Sequence, residues 1–228
     1  MTDRRAKVPV TNPEGAPLSP GSEVTVSVAQ GSGSGAAAII AHGAGGNMDT
    51  PSLRGLQQSL ASSGVTAVRF NFLYSEKKKK SPDRQPILID CWRSVADWVR
   101  REHSPSKLFL GGRSMGGRMA SYLVADGYPA DGVFFIAYPL HPPGKRDRQR
   151  KDHLPRIGVP MLFVSGTADA FANMDLLEPV VRELHAQVHF IEGADHGFKV
   201  PKSRGKTARE IEDEVARTVL AFIQSAGS

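Results

Sequence analysis

One short segment places a serine between two glycines at a spacing typical of nucleophilic catalysis. Gly112 and Gly116 lie two residues before and two after Ser114, an apolar run precedes them, and a helix-compatible run follows. This order is typical of a nucleophile elbow, a tight strand-to-helix turn that exposes the serine hydroxyl at the start of a helix. We expect both positions to require glycine because the turn crowds them against each other. The alternative interpretation is a solvated serine in a plain glycine-rich loop.

A serine nucleophile needs a general base and a carboxylate that orients this base. Asp169 follows the apolar run 160–164, and His196 follows the apolar run 188–191. The carboxyl ends of parallel strands meet at one edge of a sheet, so these loops would converge there in the chain order Ser, Asp, His. Asp169 could instead cap a turn. Asp195 is a second candidate carboxylate, ranked lower because it adjoins the histidine in the chain.

An oxyanion hole requires two backbone N–H donors beside the nucleophile. The first donor is expected at Met115, the residue after the serine, and the second in a loop after an early strand. The apolar run 36–41 predicts that strand, and glycines in the loop 42–46 would let the backbone approach a substrate closely. We predict Ala44 as the second donor, with Gly43 or Gly45 as alternatives. The alternative interpretation is a flexible glycine loop that binds no oxyanion.

The remaining candidate substrate contacts lie in loops beside predicted strand ends. Of the seven histidines, His42 and His141 share this setting with His196, whereas His153 and the other three lie in polar or amphipathic surroundings and are predicted to be surface residues. The complete set of predicted substrate-binding residues is His42, Gly43, Tyr74, Arg113 and His141.

Four segments together resemble the α/β-hydrolase superfamily, and within it the small dienelactone-hydrolase-like branch: His42–Gly46, Gly112–Gly117, Gly166–Asp169 and Ala194–Phe198. The elbow and Tyr138–Gly144 further resemble the group related to testis-expressed protein 30 and to subunit 3 of the nonspecific lethal chromatin complex. The resemblance spans most of the chain, residues 22–225, and implies acyl-transfer chemistry. Dienelactone hydrolases use a cysteine nucleophile where this chain has Ser114, so their lactone substrate is not implied.

The composition favours a globular domain without a resident cofactor. The 228 residues are 40% hydrophobic and 23% charged, which suits one packed α/β domain. Metal-ligand, dinucleotide and phosphate-loop motifs are absent, so we expect no metal and no cofactor. No apolar run approaches the roughly 18 residues of a membrane span. Residues 1–21 lack the apolar core of a secretory signal, and the single cysteine, Cys91, permits no internal disulfide. These features predict a cytoplasmic protein.

The net charge of +6 is concentrated in two clusters, Lys77–Lys80 and Lys145–Lys151. Both follow predicted strands, on the edge expected to carry Ser114. They are either solvated surface charge or a field that steers an anionic acyl substrate or acidic partner toward the site. Nucleic-acid binding is not expected because no aromatic residues interleave with the basic runs.

Strands that alternate with helices predict an α/β fold with a mostly parallel sheet of about seven strands, covered by helices on both faces. We expect a flexible tail over 1–21, then a single domain over 22–228 that begins with a half-exposed edge strand, 23–29. The connection 139–158 occupies the place of a lid in this architecture. It is short and basic, so we predict a minimal lid and an open site.

The leading functional hypothesis is a serine hydrolase acting on carboxylic esters or related acyl groups. The same constellation serves esterases, thioesterases and peptidases, so the residues do not separate these activities. The rival hypothesis is an interaction module on a hydrolase fold with weak or no turnover, because fold alone does not determine function.

Overall fold

Within the part of the chain that the structure describes, the strands form one eight-stranded sheet. The computed structural model describes residues 3–33, 35–201, 203 and 205–226. The strand order is β1-β2-β4-β3-β5-β6-β7-β8, in which the pairs β1–β2 and β2–β4 are antiparallel and all other pairs are parallel. The strands are β1 Arg4–Pro9, β2 Glu23–Ala29, β3 Ala36–Ala41, β4 Thr66–Phe70, β5 Lys107–Arg113, β6 Gly132–Ile136, β7 Met161–Gly166 and β8 Gln187–Ile191.

Helices cover both faces of this sheet, as predicted. The side chains of α1 and α6 pack with one face of the sheet in one apolar cluster, and those of α3, α4 and α5 pack with the other face in a second cluster. Every residue of β3, β6 and β7 is buried, and apart from Ser165 these strands contain only apolar residues and glycine, as expected for strands covered on both faces. The helices are α1 Pro51–Ser62, α2 Leu73–Glu76, α3 Gln85–His103, α4 Met115–Ala125, α5 Met174–Glu183 and α6 Ala208–Ser225.

The prediction of a flexible tail over residues 1–21 is wrong for most of this segment. Strand β1 pairs with β2 along its whole length, and Val8 and Val10 are buried. The carboxylate of Asp3 accepts a hydrogen bond of 2.8 Å from the fully buried guanidinium of Arg69 in β4. This added strand is the physical reason that the sheet has eight strands instead of about seven.

The strand over residues 23–29 is therefore not an edge strand. Strand β2 is hydrogen-bonded to β1 on one side and to β4 on the other. Its alternation of valine with polar residues reflects the chemistry of its two faces: Ser27 is buried but polar, and its hydroxyl accepts a hydrogen bond from Arg69. At Ser27, therefore, a polar residue in an alternating pattern reflects a buried hydrogen-bond partner and not exposure to solvent.

The connection from β6 to β7 contains only one regular element, the short 3-10 turn Leu154–Arg156. It is tied to α4 through the buried side chain of His153, whose Nε2 lies 2.7 Å from the hydroxyl of Ser121. The short connection agrees with the predicted minimal lid. Over the residues that the structure describes, no helix combines the length and apolar character needed to traverse a bilayer.

Candidate active site

Ser114 occupies a strained position between β5 and α4. Its backbone has φ 49° and ψ −114°, and its N–H donates to the carbonyl of Ile136 over 2.8 Å. A positive φ is uncommon for a residue with a side chain and persists only where surrounding contacts enforce it. The hydrogen bond to the neighbouring strand and the start of α4 directly afterwards hold this turn. The serine side chain is partly exposed at the carboxyl edge of the sheet.

The glycines around Ser114 are required by the end of β3, which corrects the expected reason for them. A Cβ at Gly112 would lie 2.3 Å from the carbonyl oxygen of Ala41, and one at Gly116 would lie 2.6 Å from the same oxygen. A side chain at either position would therefore clash with β3, whereas the sequence pattern predicts that the two positions crowd each other. The close approach to Gly112 comes from Gly117, where a Cβ would lie 2.7 Å from the Gly112 carbonyl oxygen.

The structure brings Ser114, His196 and Asp169 into one chain of hydrogen bonds. The Nε2 atom of His196 lies 2.9 Å from Oγ of Ser114, and its Nδ1 lies 2.8 Å from Oδ2 of Asp169. An ionised carboxylate only accepts hydrogen bonds, so Nδ1 of His196 carries the proton that faces it. In the neutral ring Nε2 then has a free lone pair, which accepts the hydrogen of the serine hydroxyl. This is the arrangement in which a histidine can remove a proton from a serine.

The Asp169 carboxylate is held from a second direction. It is fully buried, and its Oδ1 accepts a hydrogen bond of 2.7 Å from the N–H of Phe171. The ring of Phe171 stacks on the imidazole of His196, with centroids 4.2 Å apart. Phe171 thus fixes both partners, and sequence reasoning missed it because an aromatic residue two positions after an aspartate carries no distinctive spacing.

Asp195, the competing carboxylate, serves the backbone of its own loop. It is exposed, and its Oδ1 accepts hydrogen bonds from the N–H groups of Gly197 and Lys199 at 2.7 and 2.9 Å. These contacts shape the turn that carries His196. The imidazole takes its carboxylate partner from Asp169 instead.

The loop after β3 is held so that one peptide group has a defined direction. The carbonyl oxygen of Gly43 accepts hydrogen bonds from the Nδ1 atom of His42 at 2.8 Å, from the N–H of Gly46 at 3.2 Å and from the hydroxyl of Tyr74 at 3.4 Å. In a trans peptide the following N–H points the opposite way. The N–H of Ala44 is therefore directed away from these three donors.

This loop lies directly against the elbow. A Cβ built on Gly43 would be 3.5 Å from the Cβ of Ser114, so the backbone of the loop lies within one methyl group of the serine side chain. In the described part of the chain, the N–H groups of Ala44 and Met115 donate to no protein acceptor. Both groups are free to bind an oxygen atom beside the serine, and Met115 is also the first residue of α4, where the helix dipole favours negative charge.

Comparison with known proteins agrees with this architecture. A family model described as "Alpha/beta hydrolase domain" matches residues 34–224. The chain belongs to this family.

Three solved structures illustrate the likeness of this alpha/beta hydrolase domain to known folds. An alpha/beta serine hydrolase without a lid from Xanthomonas campestris has 21% identity and a TM-score of 0.73 over 98% of this chain and 94% of that chain. An alpha-beta serine hydrolase homologue from Coxiella burnetii has 20% identity and a TM-score of 0.71, with 97% of both chains covered. A dienelactone hydrolase from Anabaena variabilis has 16% identity and a TM-score of 0.70, with 98% of both chains covered.

Three predicted substrate contacts in this hydrolase domain are buried and engaged within the protein, which corrects their assignment. His42 is fully buried, donates from Nδ1 to Gly43 and accepts the N–H of Phe72 at Nε2 over 3.2 Å. Burial lowers the pKa of His42, which favours the neutral ring, the form that can accept that bond. Tyr74 is also buried, with its hydroxyl directed to Gly43. Both side chains brace the loop instead of facing a ligand.

His141 has the same kind of role on the opposite side of the serine. It is fully buried, its Nδ1 donates to the carbonyl of Pro142 over 3.0 Å, and its Nε2 accepts the N–H of Asn173 over 3.5 Å. Its backbone N–H donates to the carbonyl of Phe171 over 3.0 Å. His141 therefore holds the loop that carries Asp169 and Phe171.

Arg113, the residue before Ser114, holds the loop that carries His196. Its guanidinium donates to the carbonyl of His196 over 2.8 Å and lies 5.8 Å above the ring of Phe198. Burial lowers the pKa of Arg113, and the nearby carboxylates of Asp169 and Asp195 oppose that shift. Gly43 and Arg113 are the two predicted substrate contacts that the structure leaves next to Ser114 and His196, respectively.

The two basic clusters differ in how much the fold uses them. In the segment Lys145–Lys151, Arg146 pairs with Asp175, and Arg150 is bound through both its backbone and its side chain. Lys77–Lys80 are all exposed, and no ion pair involves them within the described part of the chain. The cluster Lys77–Lys80 follows β4 and α2, at the same edge of the sheet as Ser114.

Proposed function

We propose that this chain is a serine hydrolase that cleaves carboxylic esters or related acyl groups through an acyl-enzyme intermediate. The observation that carries the proposal is the continuous hydrogen-bond chain from Ser114 through His196 to Asp169. These three residues would form the catalytic triad, and the family's hydrolase fold supports this assignment.

In the first half of the reaction, the hydroxyl oxygen of Ser114 attacks the substrate carbonyl carbon while Nε2 of His196 takes the hydroxyl proton. The carbonyl oxygen becomes an oxyanion, which the N–H groups of Met115 and Ala44 bind. Asp169 keeps the imidazole in the correct tautomer and stabilises its charged form. His196 then protonates the leaving alcohol as the carbon–oxygen bond breaks, and an acyl-serine remains.

In the second half, water attacks the acyl-serine carbonyl and gives a proton to Nε2 of His196. Collapse of the second oxyanion returns this proton to Ser114 and releases the carboxylic acid. Every step uses side chains and backbone groups of this chain, so the mechanism includes no metal and no cofactor.

The substrate is proposed to be a small acyl compound, and the basic surface favours an anionic one. The four exposed side chains of Lys77–Lys80 place positive charge at the edge of the sheet that carries Ser114. Such a field raises the encounter rate of anionic substrates. The narrower relationship to the group of testis-expressed protein 30 stays a prediction from the motifs, as does a cytoplasmic location.

The test is covalent labelling with a fluorophosphonate, followed by mapping of the adduct. We expect one adduct, at Ser114, on the folded protein and none on the Ser114→Ala variant. Folded protein that never labels at Ser114 would contradict the proposal. A screen of p-nitrophenyl esters of graded acyl length, with and without an anionic group, then identifies the preferred acyl class.

A binding module with little turnover is the second candidate, favoured by the unpaired lysines of Lys77–Lys80. An acidic protein partner would suit this surface. The Ser114→Ala variant separates the two candidates, because a module would retain its partner and its biological effect, whereas an enzyme would lose its turnover.

A further inference from the structure

A cavity of about 460 Å³ lies between α1, α6 and the loop that follows His196. Arg113 and Gly197, the chain neighbours of Ser114 and His196, form part of its wall, whereas the side chains of the triad do not. Its volume lies within the roughly 300–1,000 Å³ of small-molecule sites. The cavity is thus a separate compartment beside the candidate active site.

Most of the cavity wall is hydrocarbon. The helices contribute aliphatic side chains from both sides, and the end of β6 closes the base, so an apolar chain could lie between them away from water. The apolar side chains of the wall include Leu53, Leu56, Ile136, Phe198, Ile211 and Val215.

The charged groups of the wall are predominantly cationic. Among the described residues of the wall, the cations are Arg113, Lys199 and Lys206, and the one carboxylate is that of Glu212. Lys206 is already paired with Glu214 at 2.7 Å. Arg113 uses its Nη2 atom for the carbonyl of His196, and Asp169 and Asp195 act on it only through Coulomb attraction.

We propose that this cavity binds a single-chain amphiphile with a carboxylate head group. The head group would lie on the guanidinium of Arg113, whose planar fork of donors matches the two oxygens of a carboxylate, with Lys199 as a second cation. The aliphatic tail would lie along α1 and α6. Glu212 opposes an anion, so a cationic or neutral head group is the competing outcome of the test.

The test is a calorimetric titration of decanoate into the Ser114→Ala protein, which is independent of turnover. Ala208 is exposed, lies in the first turn of α6 and lines the cavity, so Ala208→Trp should fill the entrance. Ala221→Trp places the same side chain on an exposed position of the same helix, away from the cavity. We expect binding of decanoate at one site, at least tenfold weaker with Ala208→Trp and unchanged with Ala221→Trp.

The head group is tested separately. Arg113→Gln should weaken decanoate at least tenfold and leave decanol within threefold, and decyltrimethylammonium should bind more weakly than decanoate. Thermal melting checks that each variant is folded; if Ala208→Trp is not, Ser52→Trp, at a partly exposed position in the first turn of α1, is the substitute because Ser52 lines the same cavity.

Three results would overturn the proposal: no binding of decanoate, equal affinity in the Ala208→Trp and Ala221→Trp proteins, or equal affinity for all three head groups. Decanoate bound at the candidate active site would produce the second result. Fluorophosphonate labelling at Ser114 is read independently, so failure of the hydrolase proposal and failure of the cavity proposal are distinguishable.

Discussion

Two serine–histidine pairs involve the same helix, α4, and only one of them has the geometry expected of a catalytic pair. Ser114 precedes α4 and is 2.9 Å from Nε2 of His196, whereas Ser121 lies within α4 and is 2.7 Å from Nε2 of His153. The two distances are nearly equal, so distance alone does not distinguish them. The difference lies in what holds the other side of each partner.

The serine–histidine hydrogen bonds of the two pairs have opposite donors and acceptors. The hydroxyl of Ser121 donates its only hydrogen to the carbonyl of Arg118 over 2.7 Å, so Nε2 of His153 must be the donor to the serine oxygen. At His196 the Nδ1–H donates to the Asp169 carboxylate, and Nε2 is the acceptor for the serine hydroxyl. Only the second tautomer leaves a base facing a serine.

The electrostatic settings also differ. Burial and the positive charges of Arg156 and Arg118 lower the pKa of His153 to about 4, so this ring resists taking a proton. His196 lies against a buried carboxylate, which would stabilise an imidazolium. If the proposed function holds, the feature that separates a reactive pair from a structural one is the orienting acid and the strained, accessible serine, and not the serine–histidine contact itself.

The strongest way to break this comparison is to remove each serine hydroxyl in turn. Ser114→Ala should lower kcat/KM for p-nitrophenyl butyrate by roughly five to six orders of magnitude, because no nucleophile remains. Ser121→Ala should change it by less than tenfold and lower the free energy of unfolding by about 1–3 kcal/mol, since a buried partner loses its hydrogen bond. Comparable rate losses in the two variants would contradict the distinction.

A smaller effect is expected when the orienting carboxylate is made neutral. Asp169→Asn should lower kcat about 10⁴-fold, because the amide can donate to Nδ1 and so favour the wrong tautomer of His196. Asp195→Asn is the matched control, since its side-chain oxygen can still accept from Gly197 and Lys199. If kcat falls more in the Asp195→Asn protein than in the Asp169→Asn protein, the assignment of the acid is wrong.

The depressed pKa of His153 predicts a loss of stability in acid. The unfolded chain takes up this proton near pH 6.5, whereas the folded protein does so only near pH 4. Ionisation of His153 therefore does not affect the free energy of unfolding above pH 6.5. As the pH falls from 6.5 to 4, it lowers the free energy of unfolding by no more than about 3 kcal/mol.

His153→Gln tests this prediction, because glutamine can donate to Ser121 but does not titrate. Urea unfolding between pH 7.5 and 4 should show a smaller acid loss for the variant than for the unmodified protein. Asp126 and Asp152 raise the pKa of His153 and work against the effect. Parallel curves for the two proteins would show that His153 ionises alike in the folded and unfolded states.

The smallest predicted effect concerns the basic surface. Replacing Lys77–Lys80 with glutamine should reduce kcat/KM for an anionic ester about three- to tenfold at low salt and leave a neutral ester of equal length unchanged. The difference should disappear at about 1 M salt, where the Debye length is roughly 3 Å. An equal reduction for both esters would indicate a structural role instead of steering.

The predicted and observed folds differ most where a partner distant in the chain decides the outcome. Strand β1 carries Arg4, Arg5 and Lys7, whose charges hide the alternation of Ala6, Val8 and Val10. Pairing with β2 and the contact of Asp3 with Arg69 stabilise this strand, and neither is visible in the local pattern. By contrast, the strand predicted over residues 36–41 matches β3, Ala36–Ala41, because its continuous apolar pattern is local.

His153 shows the same limit within the site region. A polar, basic segment predicts a surface histidine, yet the ring stacks on Tyr122 at a centroid distance of 3.7 Å and is buried against Ser121. Both partners lie about 30 positions earlier in the chain. Sequence spacing contains no record of such a contact.

The sequence by itself determined where Ser114, Asp169 and His196 would lie, because apolar runs and the glycines of tight turns report backbone requirements that are local. The tertiary structure alone decided what each group faces: the tautomer of His196, the burial of His42 and His141, and the stacking of Phe171. Hydrogen-bond direction and burial depend on atoms brought together from distant parts of the chain. A local sequence pattern does not specify such contacts.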